Sequence, residues 1–273
     1  MLLALLSVAV SCTKETTVPD SRLVLEGWID SGGHPIVLLS ETIPVRDGTI
    51  SQNEMIESIA KYAKVTVSDG EQSVVLTGKV DTRYFPPYVF TSSRMTGVPG
   101  KTYTVTARYK DYSAVASTTI PEPVPLDKLY PRVMNDSIYT VVCGFTDPPG
   151  EKNFYKVFTK TVGVDDRYQH SALATASDEL FEGYAEILLW SSARLFSPLY
   201  FPDIHLGDEM WVKFCTMDEQ TFNFWSNYEI VLANNANAMY YFDSDLTANV
   251  QGALGYWAGY GVNEYKIKIT ASD

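Results

Sequence analysis

Residues 98–109 read Val98-Pro99-Gly100-Lys101-Thr102-Tyr103-Thr104-Val105-Thr106-Ala107-Arg108-Tyr109. Tyr103, Val105, Ala107 and Tyr109 fall on one side of the run, and Thr102, Thr104, Thr106 and Arg108 on the other. Successive side chains of a strand point to opposite faces, so this period of two predicts a half-buried β-strand at 101–109. Outward from it the same pattern recurs between turn residues. Residues 112–120 return after a two-residue turn, and 88–91 form a short strand before it. Residues 64–68 and 73–77 flank Asp69-Gly70, a hairpin signal because that turn requires residues tolerant of positive φ. Residues 23–29 and 35–40 flank Ser31-Gly32-Gly33, while 41–62 lacks a pattern apart from a short helical turn at 53–61.

The approach Val98-Pro99-Gly100-Lys101-Thr102-Tyr103 resembles the start of strand F in fibronectin type III and related immunoglobulin-like sandwiches. There a tyrosine hydroxyl ties down the preceding corner. Seven short strands predict an immunoglobulin-like β-sandwich over residues 22–120, without the paired cysteines of antibody domains.

Pro121-Glu122-Pro123-Val124-Pro125 opens a proline-rich linker, 121–131, expected to be a stiff spacer. Residues 132–273 read as a second domain. Strands at 137–145 and 153–161 are expected to pair across Asp147-Pro148-Pro149-Gly150, with an irregular stretch at 163–180 and strands at 184–190, 209–215 and 265–270. Thr216-Met217-Asp218-Glu219 has capping-box form, and Phe222, Trp225, Tyr228, Val231 and Leu232 recur at helical spacing. One main helix is therefore expected at about 218–232. The fold class is mainly β: an N-terminal immunoglobulin/fibronectin-III-like sandwich followed by a second antiparallel β domain with one main helix.

Residues 1–12, Met-Leu-Leu-Ala-Leu-Leu-Ser-Val-Ala-Val-Ser-Cys, form an apolar run too short to span a membrane, ending at a cysteine. This is the layout of a lipoprotein signal with Cys12 as the lipid-bearing residue and 13–21 as a tether. A formal charge of −12 disfavours nucleic acid and anionic headgroups, so membrane attachment would rest on the lipid. Cys143 and Cys215 lie in apolar runs and read as buried free thiols rather than a disulfide.

Catalytic patterns dissolve on inspection. Ser58-Ile59-Ala60-Lys61 has the Ser-x-x-Lys form of penicillin-binding enzymes but stands in a small β-domain, where Asp69-Gly70 already serves as a turn. His34, His170 and His205 are isolated, and Asp243-Ser244-Asp245 lacks the glycine and terminal glutamate of a calcium loop, so no metal or cofactor is expected. Asp165-Asp166, Asp178-Glu179 and Asp208-Glu209 read as solvated turn charges.

Aromatic residues are more informative. Of 35 Phe, Tyr and Trp, 25 lie in 132–273, which places the enrichment in the second domain. Part must be core. Trp190 and Tyr200 lie in or beside a loop, and Tyr256, Trp257 and Tyr260 are interleaved with glycines that permit close backbone approach. These five are the candidate ligand or partner surface. The other reading of the 256–260 stretch is a glycine-rich strand packing its rings inward.

Three stretches resemble a known family: Leu23-Val24-Leu25-Glu26-Gly27-Trp28-Ile29, Asp147-Pro148-Pro149-Gly150, and Asn249-Val250-Gln251-Gly252-Ala253-Leu254-Gly255-Tyr256-Trp257. They look like the marks of Bacteroidetes outer-membrane lipoproteins of unknown function, often encoded beside TonB-dependent receptors. Val250 and Trp257 replace that pattern's isoleucine and phenylalanine. The resemblance implies an outer-membrane, lipid-anchored protein with a TonB-dependent receptor as partner. The leading expectation is a non-enzymatic binding or accessory protein. The alternatives are an exported hydrolase acting on glycan or peptide, and a structural envelope component.

Overall fold

The computed structural model describes residues 22–43, 50–135, 137–181, 183–189, 203–234 and 249–271. Cys12, the tether, Trp190, Tyr200 and Asp243-Ser244-Asp245 lie outside them. The described fold is mainly β with one main helix, as expected. No described helix is long and apolar enough to cross a membrane.

The N-terminal part contains β1 (Leu23–Asp30), β2 (Ile36–Glu41), α1 (Gln52–Glu57), β3 (Lys64–Ser68), β4 (Ser73–Val75), β5 (Thr77–Val80), β6 (Tyr88–Thr91), β7 (Thr102–Tyr109) and β8 (Tyr112–Thr119). The corner before β7 is held as the sequence predicts. The Tyr103 hydroxyl accepts from Val98 N at 2.9 Å and donates to Thr96 O at 3.1 Å. The expected strand 73–77 divides at buried Leu76, whose N–H donates to Val65 O. β4 then pairs with β3, and β5 crosses to pair with β6.

The remainder contains β9 (Lys128–Val133), β10 (Tyr139–Thr146), β11 (Phe154–Thr161), β12 (Gln169–Ser177), β13 (Tyr184–Leu189), β14 (Glu209–Met217), α2 (Glu219–Asn234) and β15 (Ala253–Lys268). Several expectations are corrected. β10 and β11 do not pair: β10 lies between β9 and β13, and β11 between β12 and β14. Pro148 and Pro149 have no N–H to donate to a ladder, and the turn carries the chain from one sheet to another. A bond from the Tyr155 hydroxyl to Asp147 ties it down. The stretch expected to be irregular contains β12, and the final strand begins at Ala253 rather than near 265. Asp218, not Thr216, caps α2, accepting from Thr221 N at 2.8 Å.

One eight-stranded sheet runs β12-β11-β14-β15-β1-β2-β6-β5 through both halves of the chain. Its joint is β1 lying parallel to β15, Glu26 beside Tyr256 and Gly27 beside Trp257. Two smaller sheets, β4-β3-β7-β8 and β13-β10-β9, cover one face. α2 covers part of the other, resting on Phe158, Tyr256 and Tyr260. The 121–131 stretch is fastened rather than free, and β9 begins within it at Lys128. Thr216 Oγ1 donates to Glu122 O at 2.8 Å, and Asn263 Nδ2 to Val124 O at 3.0 Å. Gly261 admits this crossing, since a Cβ there would stand 2.3 Å from Pro121 O.

Candidate functional site

The pleat of β1 decides where the site forms. Leu23, Leu25 and Ile29 enter the sandwich core, which turns Glu26, Trp28 and Asp30 to the opposite face. The register carries Tyr256 and Tyr260 of β15 onto that same face. β14 adds Lys213, β11 adds Phe158, and β12 adds His170 opposite Phe158. Phe224, Trp225 and Tyr228 of α2 wall one side, while Arg83, Tyr84, Phe85, Arg167 and Tyr168 come from loops. Together they enclose a cavity of about 580 Å³, within the ordinary size of a small-molecule pocket.

Rings form much of the wall. Trp225 Nε1 donates to the Tyr260 hydroxyl at 2.7 Å, and Phe224 meets Tyr256 with centroids 4.4 Å apart. Charged groups among them are paired. Lys213 Nζ lies 2.7 Å from Asp30 Oδ2 and within 5.6 Å of the Phe158, Tyr168 and Tyr260 ring centres. Burial is the largest single influence and works against its ammonium, but Asp30, with Cys215 and Glu264 nearby, outweighs it, and together they hold the pKa above the usual lysine value. Behind Trp225, Lys156 pairs with Glu229 at 2.5 Å, and Thr175 donates to the same carboxylate at 2.6 Å. Here burial prevails and lowers the Lys156 pKa. Desolvation raises the Glu26 carboxyl, opposed by the nearby Arg167 charge and by a 3.3 Å bond from the Tyr256 hydroxyl.

Three polar atoms of the lining residues, Asp30 Oδ1, His170 Nδ1 and the Tyr228 hydroxyl, are buried and unpaired among the described residues. His170 and Tyr228 are only 6% and 7% exposed. Burial, aided by the Lys156 and Arg167 charges, pushes the His170 pKa down to about 3, so the imidazole is neutral. Each of the three atoms is sealed within the wall rather than presented at the cavity surface, so it is a polar group whose missing bond costs stability.

The five sequence candidates divide. Tyr256 and Tyr260 line the cavity, and Trp190 and Tyr200 lie outside the described residues. Trp257 is corrected from a surface to a core residue: it is 0% exposed, and its Nε1 donates to Tyr103 O at 2.9 Å. The room for its indole comes from Gly27, where a Cβ would meet Trp257 Cε3 at 2.8 Å. Asn249 brackets the Trp257 backbone, donating to its carbonyl at 2.7 Å and accepting from its N–H at 2.9 Å. Among the histidines, His34 Nδ1 contacts Met95 O at 2.9 Å and His205 is exposed. Cys143 and Cys215 are free and buried, and burial pushes the Cys143 thiol up to about 12. Sequence reading missed Glu26, Trp28, Asp30 and the 81–85 loop. The signal for the first three was one strand placing a carboxylate, an indole and a second carboxylate on the same face.

Fold and site together define a β-sandwich protein with a ring-walled, ligand-sized cavity beneath its main helix. The chain belongs to the family described as a domain of unknown function, DUF4249, which matches residues 11–266. No curated protein matches it. Among solved structures, a marsupial T cell receptor is similar over 71% of this chain at 11% identity, with a TM-score of 0.19; the match spans 57% of that receptor chain.

Proposed function

We propose that this protein is a cell-envelope lipoprotein that binds a small molecule in the cavity and serves as an accessory to a TonB-dependent outer-membrane receptor. The observation that carries the binding reading is the cavity, of ligand size and walled largely by rings. Its strongest buried charges are engaged with one another, Asp30 with Lys213 and Glu229 with Lys156, which favours holding a ligand over transforming one. The anchor rests on the 1–12 run ending at Cys12, and the receptor on the family resemblance.

Calorimetric titration of the full chain with a neutral ring compound, 2-naphthamide, tests the binding reading. Saturable binding is expected, weakened about tenfold by Tyr84→Ala, since a lost ring contact of about 1 kcal/mol or more approaches that factor. No saturable binding by 2-naphthamide or its charged analogues would overturn the reading. Cys12→Ala should move the protein out of the membrane fraction, and unchanged fractionation would remove the anchor.

A further inference from the structure

The ligand's charge can be read from the imbalance between the cavity and the chain around it. Over the whole sequence acids outnumber bases 33 to 21. The cavity reverses this order. Lys79, Arg83, Lys160, Arg167 and Lys213 contribute five cations. Against them stand Glu26, Asp30, Asp81 and Asp166. Two of those acids pair with cations of the same wall, Asp30 Oδ2 with Lys213 at 2.7 Å and Asp81 with Arg83 at 2.6 Å, while Asp30 Oδ1 has no partner among the described residues. Lys79, Lys160 and Arg167 then face Glu26 and Asp166.

Arg167 is the exception among the arginines of the cavity. Among the described residues no carboxylate pairs with it, and its guanidinium lies over the Tyr84 ring at 5.2 Å. Its charge acts on Glu26, Tyr84, His170 and Tyr256, all of which line the cavity. A guanidinium held on a ring keeps its planar fork of donors free, and that fork matches the two oxygens of a carboxylate. The stacking walls beside it suit a flat frame. The neutral imidazole of His170 and the Tyr228 ring add no competing charge.

We propose that the cavity takes a small planar organic anion, a carboxylate borne on an aromatic or flat unsaturated frame, with Arg167 as the residue that receives the carboxylate. The proposal rests on the cavity being a ligand site, as argued above. It goes further in fixing the sign of the ligand's charge and the residue that reads it.

The test compares three probes of one shape on the full chain by calorimetry: 2-naphthoate, neutral 2-naphthamide and cationic 2-naphthylmethylammonium. Naphthoate should bind about tenfold or more tighter than the amide, as a charge-assisted bidentate contact predicts, and the cation should be weakest. Arg167→Gln should abolish the preference for naphthoate over the amide. Arg167→Lys should restore part of it, and matching melting temperatures would show that both variants are folded. If all three probes bind alike, or the cation binds best, the anion assignment fails while the cavity stands as a site. A naphthoate preference that survives Arg167→Gln overturns the role of Arg167. If none of the three binds, the ligand site itself is overturned and this inference with it.

Discussion

Tyr256 and Trp257 are neighbours in one strand and serve opposite faces of one sheet. On the sandwich face the indole of Trp257 fills a space shaped for it, with Gly27 beneath and Asn249 holding its backbone. On the other face Tyr256 and Tyr260 border a cavity where His170 and Tyr228 keep unpaired polar atoms. Asn249, Val250, Gly255 and Trp257 of the 249–257 motif serve the filled face, while its Tyr256 turns to the cavity. Gly255 has a φ of 106°, and a Cβ there would stand 2.0 Å from Leu25 O; Val250 is core. A sequence mark of this kind records how the sheet closes, and the cavity is assembled from residues mostly outside it. The two faces therefore make separable demands on the sequence, one of shape and one of unspent polarity.

The most severe way to break the filled face is to remove β15. Residues 22–120 alone would retain the strands of the N-terminal sandwich but lose Val250, Ala253 and Trp257 from its core, and would expose the edge of β1. Expressed alone, that fragment should show no cooperative unfolding by circular dichroism in urea. A sharp transition would mean that β15 contributes little to the sandwich. Trp257→Ala is a smaller break in the same place. It should cost about 3–5 kcal/mol, the usual range for emptying a core of a large ring, and leave 2-naphthamide affinity within about threefold, since the side chain points away from the cavity. Weaker binding without lost stability would reassign Trp257 to the cavity side.

What was legible in the sequence was local. The Tyr103 corner, the Asp69-Gly70 turn and α2 each rest on residues within a few positions of one another, and their chemistry is visible in the string. The pairing of β1 with β15 joins residues 230 positions apart, such as Glu26 and Tyr256, and no nearby residue announces it. Without that pairing the site could not be assembled, because Glu26, Trp28 and Asp30 come from one end of the chain and Tyr256 and Tyr260 from the other. Asp147-Pro148-Pro149-Gly150 failed differently: the turn was correctly seen, but a turn does not say which strands it joins. Lys156 and Lys213 were the overlooked clues, each a cation flanked on both sides by apolar or aromatic residues in its strand, which a buried partner justifies.

The finest test of the comparison is pH, which should act on the cavity face and leave the filled face untouched. His170 is held near a pKa of about 3 in the folded chain, against 6.5 for the ordinary side chain. Between those values the unfolded chain binds the proton and the folded chain does not, so stability is full above about 6.5 and falls as pH drops. The slope approaches about 1.4 kcal/mol per pH unit for one group. Glu26 works in the opposite sense: its raised folded pKa costs stability as pH rises above its ordinary value of 4.5. The His170 contribution is accordingly read from the difference between wild type and His170→Gln, which have Glu26 in common. Urea unfolding at about pH 5.5, 6.5 and 7.5 should therefore show a wild-type slope that His170→Gln flattens and Trp257→Ala preserves. Equal slopes in wild type and His170→Gln would show that the imidazole titrates as if in water. The cavity wall would then be open to solvent where the structure has it closed around an unpaired nitrogen, and the contrast between the two faces would be lost.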